Sequence, residues 1–380
     1  MCYNGRMTSQ EPHVLSGAVI AYRLFDIADT IDLTKAEALW TQQQLAVAAR
    51  RGRLVSAAPK AMAFVVPPLD IPLESVAVRI GTTEIHADAS ARLYEFGVAR
   101  LALRISADNL PWETFVQRLN AVDRTVGPES GSEIWRRLLD QVLDTFKPAL
   151  VKPTGTMLEE DYLIGMISAF DTAPDAETLQ HRIDLVPLLS GEDRPLSEGA
   201  RRDLLRQRFS YYTDDLVVLT WDRAFVYEPR GDSDVMDVLD VANARLLEMR
   251  YYDRLLQIEL PRMYDLVEAT QRSRPLLGSR RFANLARHLY TLVAEVTEVR
   301  EKVDNALQVT EDVYLARIYA AALELFRVAA VSQSVERKLA MIRDTYLALY
   351  EEASAGRAAL MEAAIVLLIV IEIGLVFVHP

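Results

Sequence analysis

The chain has 380 residues, with 42 Lys and Arg against 54 Asp and Glu and a formal net charge of -12. It is long enough to bury two cores, and too acidic for its surface as a whole to neutralise phosphates. Its 51% apolar and 25% charged content is globular and excludes both a disordered chain and a polytopic membrane protein. The single cysteine, Cys2, excludes a disulfide framework or a cysteine metal site within one chain and suits a reducing compartment.

Residues 1–13, MCYNGRMTSQEPH, are expected to be a flexible N-terminus, since they lack the apolar core of a signal peptide and the repeated Arg of a transit peptide. Residues 14–229 mix short β-branched runs with helical stretches, which predicts an α+β domain with a mainly antiparallel sheet. The strands are expected at Ala18–Phe25, Met62–Val66, Val76–Ile80, Phe96–Arg104, Tyr162–Phe170, Leu216–Trp221 and Ala224–Tyr227. Helices are expected at Thr34–Arg51, Pro111–Asp123, Glu133–Phe146 and Ser197–Phe209. The turn-rich cluster Glu228 to Asp234 ends the strands, and its Arg230-Gly231-Asp232 is read as a chance turn rather than an integrin motif.

Residues 230–357 read as a helical, coiled-coil-like domain. Val235, Leu239, Ala242, Leu246 and Met249 repeat in steps of four and three. The same alternation runs through Leu285, Leu289, Leu292, Val296, Val299, Val303 and Ala306, and through Leu315, Tyr319, Ala322, Phe326 and Ala329. After Ser332-Gln333-Ser334 a new register begins at Val335. Such seams suit an antiparallel bundle within one chain, or in part a homo-oligomer.

No catalytic residue, cofactor or small-molecule substrate is inferred. GxGxxG, Walker-type, HExxH and GxSxG patterns are absent, and His13, His86, His181, His288 and His379 show no metal-ligand spacing. Asp234, Asp237 and Asp240 are spaced to hold a hard cation, but at a helix start they are better read as complementing the helix dipole. Between Ala269 and Ala294 no acid occurs, while Arg272, Arg274, Arg280, Arg281 and Arg287 do. This basic patch would meet anionic lipid or RNA, or pair with the acidic first domain.

Residues 358–380 are expected to be a C-terminal transmembrane tail anchor. Ala359–Val378 at ~1.5 Å per residue reaches about 30 Å, a bilayer's hydrocarbon thickness. Its Leu, Ile, Val and Phe side chains at roughly -0.3 to -0.6 kcal/mol each outweigh about +3 kcal/mol for one central acid, Glu372. Arg337, Lys338, Arg343 and Arg357 precede the span, which places the N-terminal bulk in the cytoplasm. Glu372, with Glu362 nearer the interface, is expected to join neighbouring spans in an oligomer.

The segments LVVLTWDRAFVYEP, DVLDVANARLLEMRYYDRLL, ELPRMYDLVEAT, NALQVTEDVYLARIYAAALELFRV and SVERKLAMIRDTYLALYEEA, with the Glu-bearing tail, resemble the Required for Meiotic nuclear Division family, also known as YagE-like. The resemblance covers roughly Glu84 to Pro380. It implies a membrane protein that oligomerises and is linked to translation, with a ribosomal or other cytoplasmic protein or RNA partner and no defining enzymatic activity. It carries over Trp221, Asp222, Arg250, Tyr251, Asp253, Asp312, Arg317 and Tyr319 as structural residues. Without a presequence, a bacterial plasma membrane is favoured over an inner mitochondrial one. The expected function is therefore a tail-anchored, oligomeric, non-enzymatic scaffold. The alternative is a cation conduit lined by Glu372, similar to CorA-type transporters in layout only.

Overall fold

The computed structural model describes residues 12–43, 50–51, 62–64, 66–154, 157–172, 174–231, 234–271, 307–309 and 312–378, with scattered positions between 284 and 297. The chain divides into two compact units. The first is Met1–Glu248 with Lys302–Ala329, and the second is Met249–Glu301 with Ala330–Pro380.

The first unit is mixed α and β. Its main strands are β1 His13–Asp26, β2 Thr83–Leu93, β3 Val98–Ser106, β4 Glu159–Phe170, β5 Leu216–Leu219 and β6 Arg223–Tyr227. They belong to an eleven-stranded sheet whose path runs Arg208–Phe209, β5, β6, β4, β1, β3, β2, Leu69–Pro72, Arg50–Arg51. Val76–Ile80 pairs beside β2, and Leu110–Pro111 beside β1. The β4–β6 pairing is parallel, whereas β1 with β3 and β4, β2 with β3, and β5 with β6 are antiparallel.

Both faces of the central strands are covered, so β1 is apolar almost throughout. Successive side chains point to opposite faces. Val19, Ala21 and Phe25 join one core with α1 Leu33–Gln43, α2 Trp112–Val126 and α3 Ile134–Phe146. The buried residues of α2, Trp112, Phe115, Val116, Leu119, Val122 and Val126, recur at three and four, which turns one stripe of the helix onto the sheet. Gly17 and Gly165 face α2, where added Cβ atoms would meet Val14 at 2.9 Å and Leu119 at 2.8 Å.

The opposite face carries Tyr22, Arg92, Arg100 and Tyr162 beneath the start of α4 Val235–Gln271 and beneath α5 Val313–Leu325. Asp240 pairs with Arg100 at 2.9 Å, and Asp237 with Arg92, which also binds Asp70 at 2.6 Å. Burial pushes the Asp240 carboxyl up while Arg100 and Arg92 draw it down. Asp237 and Asp240 thus bind the helix to the sheet through arginines, a role in which neither a metal ion nor the dipole is the main partner. Tyr162 and Phe326 meet edge to face at 5.5 Å.

The expected helix Ser197–Phe209 is shorter, Glu198–Leu204, with Ser197 as N-cap, and Arg208–Phe209 is an edge strand. Of the expected helix Thr34–Arg51, Leu33–Gln43 is helical and Arg50–Arg51 is an edge strand, while residues 44–49 lie outside the described residues. The register break expected at Ser332–Ser334 lies earlier: α5 ends at Leu325, Arg327 has φ +55°, and α6 then runs Val328–Val378 through those serines. Serine lowers helix propensity only slightly, whereas a left-handed residue ends the ladder.

In the second unit Lys338 donates to the Asp253 carboxylate at 2.8 Å and to its carbonyl at 3.0 Å. Among the described residues no helix is long and apolar enough to cross a membrane, so the structure does not support the expected transmembrane span. The side chain of Glu372 lies outside the described residues.

Candidate functional site

On the α2 face of the sheet, three strands each bring a charged residue to the C-terminal half of α2: Arg23 from β1, Asp161 from β4 and Arg223 from β6. Arg23 and Asp161 are cross-strand partners. Arg223 donates to the Asn120 side chain at 2.7 Å, to the Leu188 carbonyl at 2.9 Å and to the Asp123 carboxylate. Arg23 donates to the Gly127 carbonyl at 2.8 Å, the Val126 carbonyl at 3.3 Å and Glu159 at 3.2 Å, and lies 5.4 Å from the centre of the Trp135 ring. Arg23 thereby satisfies carbonyls at the end of α2 that have no partner within the helix, while Arg223 holds two side chains of α2. Trp135 completes the arrangement by donating to the same Val126 carbonyl at 2.6 Å.

Between these groups lies a small hollow of about 10 Å³, room for roughly one water molecule, lined by Arg23, Asp123, Val126, Gly127, Trp135 and Asp161 among others. Burial pushes the Asp161 carboxyl up; Arg23 draws it down, and Asp123, Asp222 and Glu159 push it further up. Burial also raises Asp222, against Arg223 and a hydrogen bond from Thr220. The Nε of Arg23 is buried with no hydrogen-bond partner among the described residues. At that size the hollow can hold about one water between the Arg23 guanidinium and the Asp161 carboxyl. No group of three or more His, Cys, Asp or Glu is placed to hold a metal among the described residues.

The β5–β6 turn at the rim is tightly closed. The Thr220 amide donates to the Arg223 carbonyl at 2.8 Å, and the buried Tyr162 hydroxyl reaches the Thr220 and Arg223 carbonyls at 2.9 and 2.8 Å. Tyr162→Phe should therefore cost about 1–2 kcal/mol, read as a lower urea midpoint with an unchanged m-value.

The residues singled out from the sequence occupy several places. Trp221 is 71% exposed at that turn, with Asp222 beside it at the rim of the hollow. Asp312 caps α5, accepting from the Tyr314 and Leu315 amides. Also on α5, Arg317 lies 5.8 Å over Phe209, and Tyr319 is half-buried. In the second unit Arg250 is exposed, Tyr251 packs on Tyr252 at 5.4 Å, and Asp253 holds Lys338. Arg287 and Glu362 are exposed; Arg272, Arg274, Arg280 and Arg281 lie outside the described residues, as does Asp232 of the Arg-Gly-Asp turn. Arg23, Asp123 and Asp161 of the hollow, and Arg223 bound to Asp123, escape sequence reading. The available signal was a charged residue on an otherwise apolar alternation, Val19-Ala21-Arg23-Phe25, which a core face tolerates only when it is paired.

The comparisons with known proteins correct the family resemblance. A family model described as the N-terminal domain of uncharacterized protein MJ0711 matches residues 16–234, which include the whole hollow. The MJ0711 protein of Methanocaldococcus jannaschii is 25% identical over 242 residues, covering 63% of this chain and 72% of that protein. No solved structure matches. Nothing in these matches points to the Required for Meiotic nuclear Division family. Of the five segments that suggested it, all but LVVLTWDRAFVYEP lie beyond residue 234, in stretches that are mostly helical and whose heptad-like composition recurs among unrelated proteins. The chain belongs to the family defined by the MJ0711 N-terminal domain.

Proposed function

We propose that the chain is a non-enzymatic adaptor whose sheet unit is the partner-binding head and whose C-terminal helix attaches it to a lipid bilayer. One observation supports the attachment. The successive α6 residues Ile365, Val366, Leu367, Leu368 and Ile369 are all 48–64% exposed. At about 100° per residue, five in a row encircle the helix. An amphipathic helix needs one covering neighbour, whereas an apolar girdle needs a medium on every side. The described residues contain no helix that would cross a membrane, and the reading is of attachment by insertion of this end. The link to translation rested on the corrected family resemblance and falls with it.

Removing these five side chains from water contributes on the order of 5 kcal/mol, roughly three to four decades in partition. In flotation with phosphatidylcholine vesicles, the full chain should rise with the lipid. A chain ending at Arg357, or the full chain carrying L367E and L368E, should stay at the bottom. A full chain that remains below as a discrete oligomer would show that copies of α6 cover one another, and would sink the lipid reading.

A further inference from the structure

A second surface of the sheet unit carries exposed aromatic rings that the fold holds rigidly in place. Tyr211 is 62% exposed, Tyr212 42% and Val313 74%. The Tyr211 ring meets Tyr212 edge to face at 4.8 Å and Tyr314 at 5.4 Å, so the patch joins two segments about a hundred residues apart in the chain.

The loop that presents the tyrosines is pinned. The buried Asp215 carboxylate accepts from the Tyr211 amide at 2.7 Å and the Tyr212 amide at 3.1 Å. The Ser210 hydroxyl donates to the Tyr212 carbonyl at 2.6 Å, and the Ala176 amide to the Thr213 carbonyl at 2.7 Å. Rings held this way lose little freedom when covered, which is the property of an interface anchor.

Two observations indicate the occupant. The Arg230 guanidinium already stands 4.3 Å over the Tyr212 ring, an intramolecular example of the contact this surface accepts. Asp214, Asp215, Glu228 and Asp312 converge here against Arg230 and Arg317, which leaves the patch negative. Asp215, Glu228 and Asp312 are near enough to push the Tyr314 hydroxyl up, after burial, which is the larger cause. Burial, Asp215 and Asp214 likewise push Glu228 up. A nucleic acid would bring phosphates against these carboxylates, although its bases could stack on tyrosine; a cationic chain satisfies rings and charge together.

We infer that the Tyr211–Tyr212 patch docks a positively charged peptide segment of a partner protein, with an Arg or Lys side chain over Tyr211 and neighbouring cations against Asp214, Glu228 and Asp312. This deepens the adaptor reading by naming the head's partner. It is tested without lipid, so failure of attachment and failure of docking are separate results.

The probe is a fluorescently labelled octa-arginine peptide, titrated by anisotropy with the full chain at 150 mM salt. The double variant Tyr211→Ser with Tyr212→Ser should bind about tenfold more weakly. Tyr211→Phe with Tyr212→Phe, which keeps the rings, should bind within about twofold of the unaltered chain, and circular dichroism should show both variants folded. Asp140→Asn with Asp144→Asn, on the exposed side of α3, controls for attraction to net charge and should change little. Equal affinity of the serine variant and the unaltered chain would overturn the inference. So would a labelled oligouridylate that binds better than the peptide.

Discussion

Replacing Gly97 with alanine is expected to destabilise the sheet unit by about 4 kcal/mol or more, with a melting midpoint lower by roughly 8 °C. Gly97 lies between β2 and β3 with φ +90°, and a Cβ there would stand 1.7 Å from the Ala28 carbonyl oxygen. Neither chain can yield. The Gly97 carbonyl accepts from the Ile27 amide at 3.0 Å and the Ala28 amide at 3.3 Å, and the Gly97 amide donates to the Tyr94 carbonyl at 3.1 Å. Opening the approach breaks those bonds where β1 turns into the next strand, Ala28–Ile31. Gly131→Ala is the comparison: its φ is +61° but nothing lies within 4 Å of the added Cβ, so about 1 kcal/mol is expected. Thermal unfolding followed by circular dichroism separates the two. Equal midpoints for both variants would mean that the Ala28 approach is looser than described.

What the sequence shows and what it hides divide along the range of the interactions. Strand β1 was legible because Ala18 to Phe25 is almost wholly apolar, and α2 and α3 because their buried residues recur at three and four. Strand β2 was missed. Its inward positions include Ala87, Ala89 and Ala91, and alanine and serine carry little β preference, so burial against neighbouring strands decides its conformation. The ion pairs were illegible for another reason. Arg223 meets Asp123 at a separation of 100 residues, and Arg92 meets Asp237 at 145. Asp237 and Asp240, three apart at a helix start, satisfied two local explanations, and only the fold supplies the distant arginines that hold them. The family, too, was set by the sheet-forming part of the chain, 16–234, whereas the helical segments that suggested another family carry a generic pattern.

Asp26 should make the protein lose stability as pH rises from about 4 to about 7, and replacing it with asparagine should remove that loss. The carboxyl ends β1 in a buried setting; burial, reinforced by Asp29 and opposed by a hydrogen bond from Thr154, pushes it up to about 7. In the unfolded chain it titrates near 4. Between those values the folded state binds the extra proton, so raising pH favours unfolding, and above 7 the loss is complete. A rise of this size corresponds to about 4 kcal/mol, an upper figure for a group that retains some contact with water. The same sign holds for Asp161, Asp222 and Asp240, all raised chiefly by burial, while Asp108 is lowered by hydrogen bonds and acts oppositely at more acid pH. The difference between variant and unaltered chain isolates Asp26 from these. In Asp26→Asn the new side chain would keep an oxygen for the Thr154 hydroxyl, 3.4 Å from Oδ1, and set its amide where Oδ2 lies buried with no partner among the described residues, at a cost of about 1 kcal/mol. Urea unfolding at pH 8 should therefore find Asp26→Asn more stable by about 2–3 kcal/mol, with the advantage gone or reversed near pH 4. Parallel stability curves for the two proteins across that range would show that Asp26 ionises normally, and that the end of β1 is open to water.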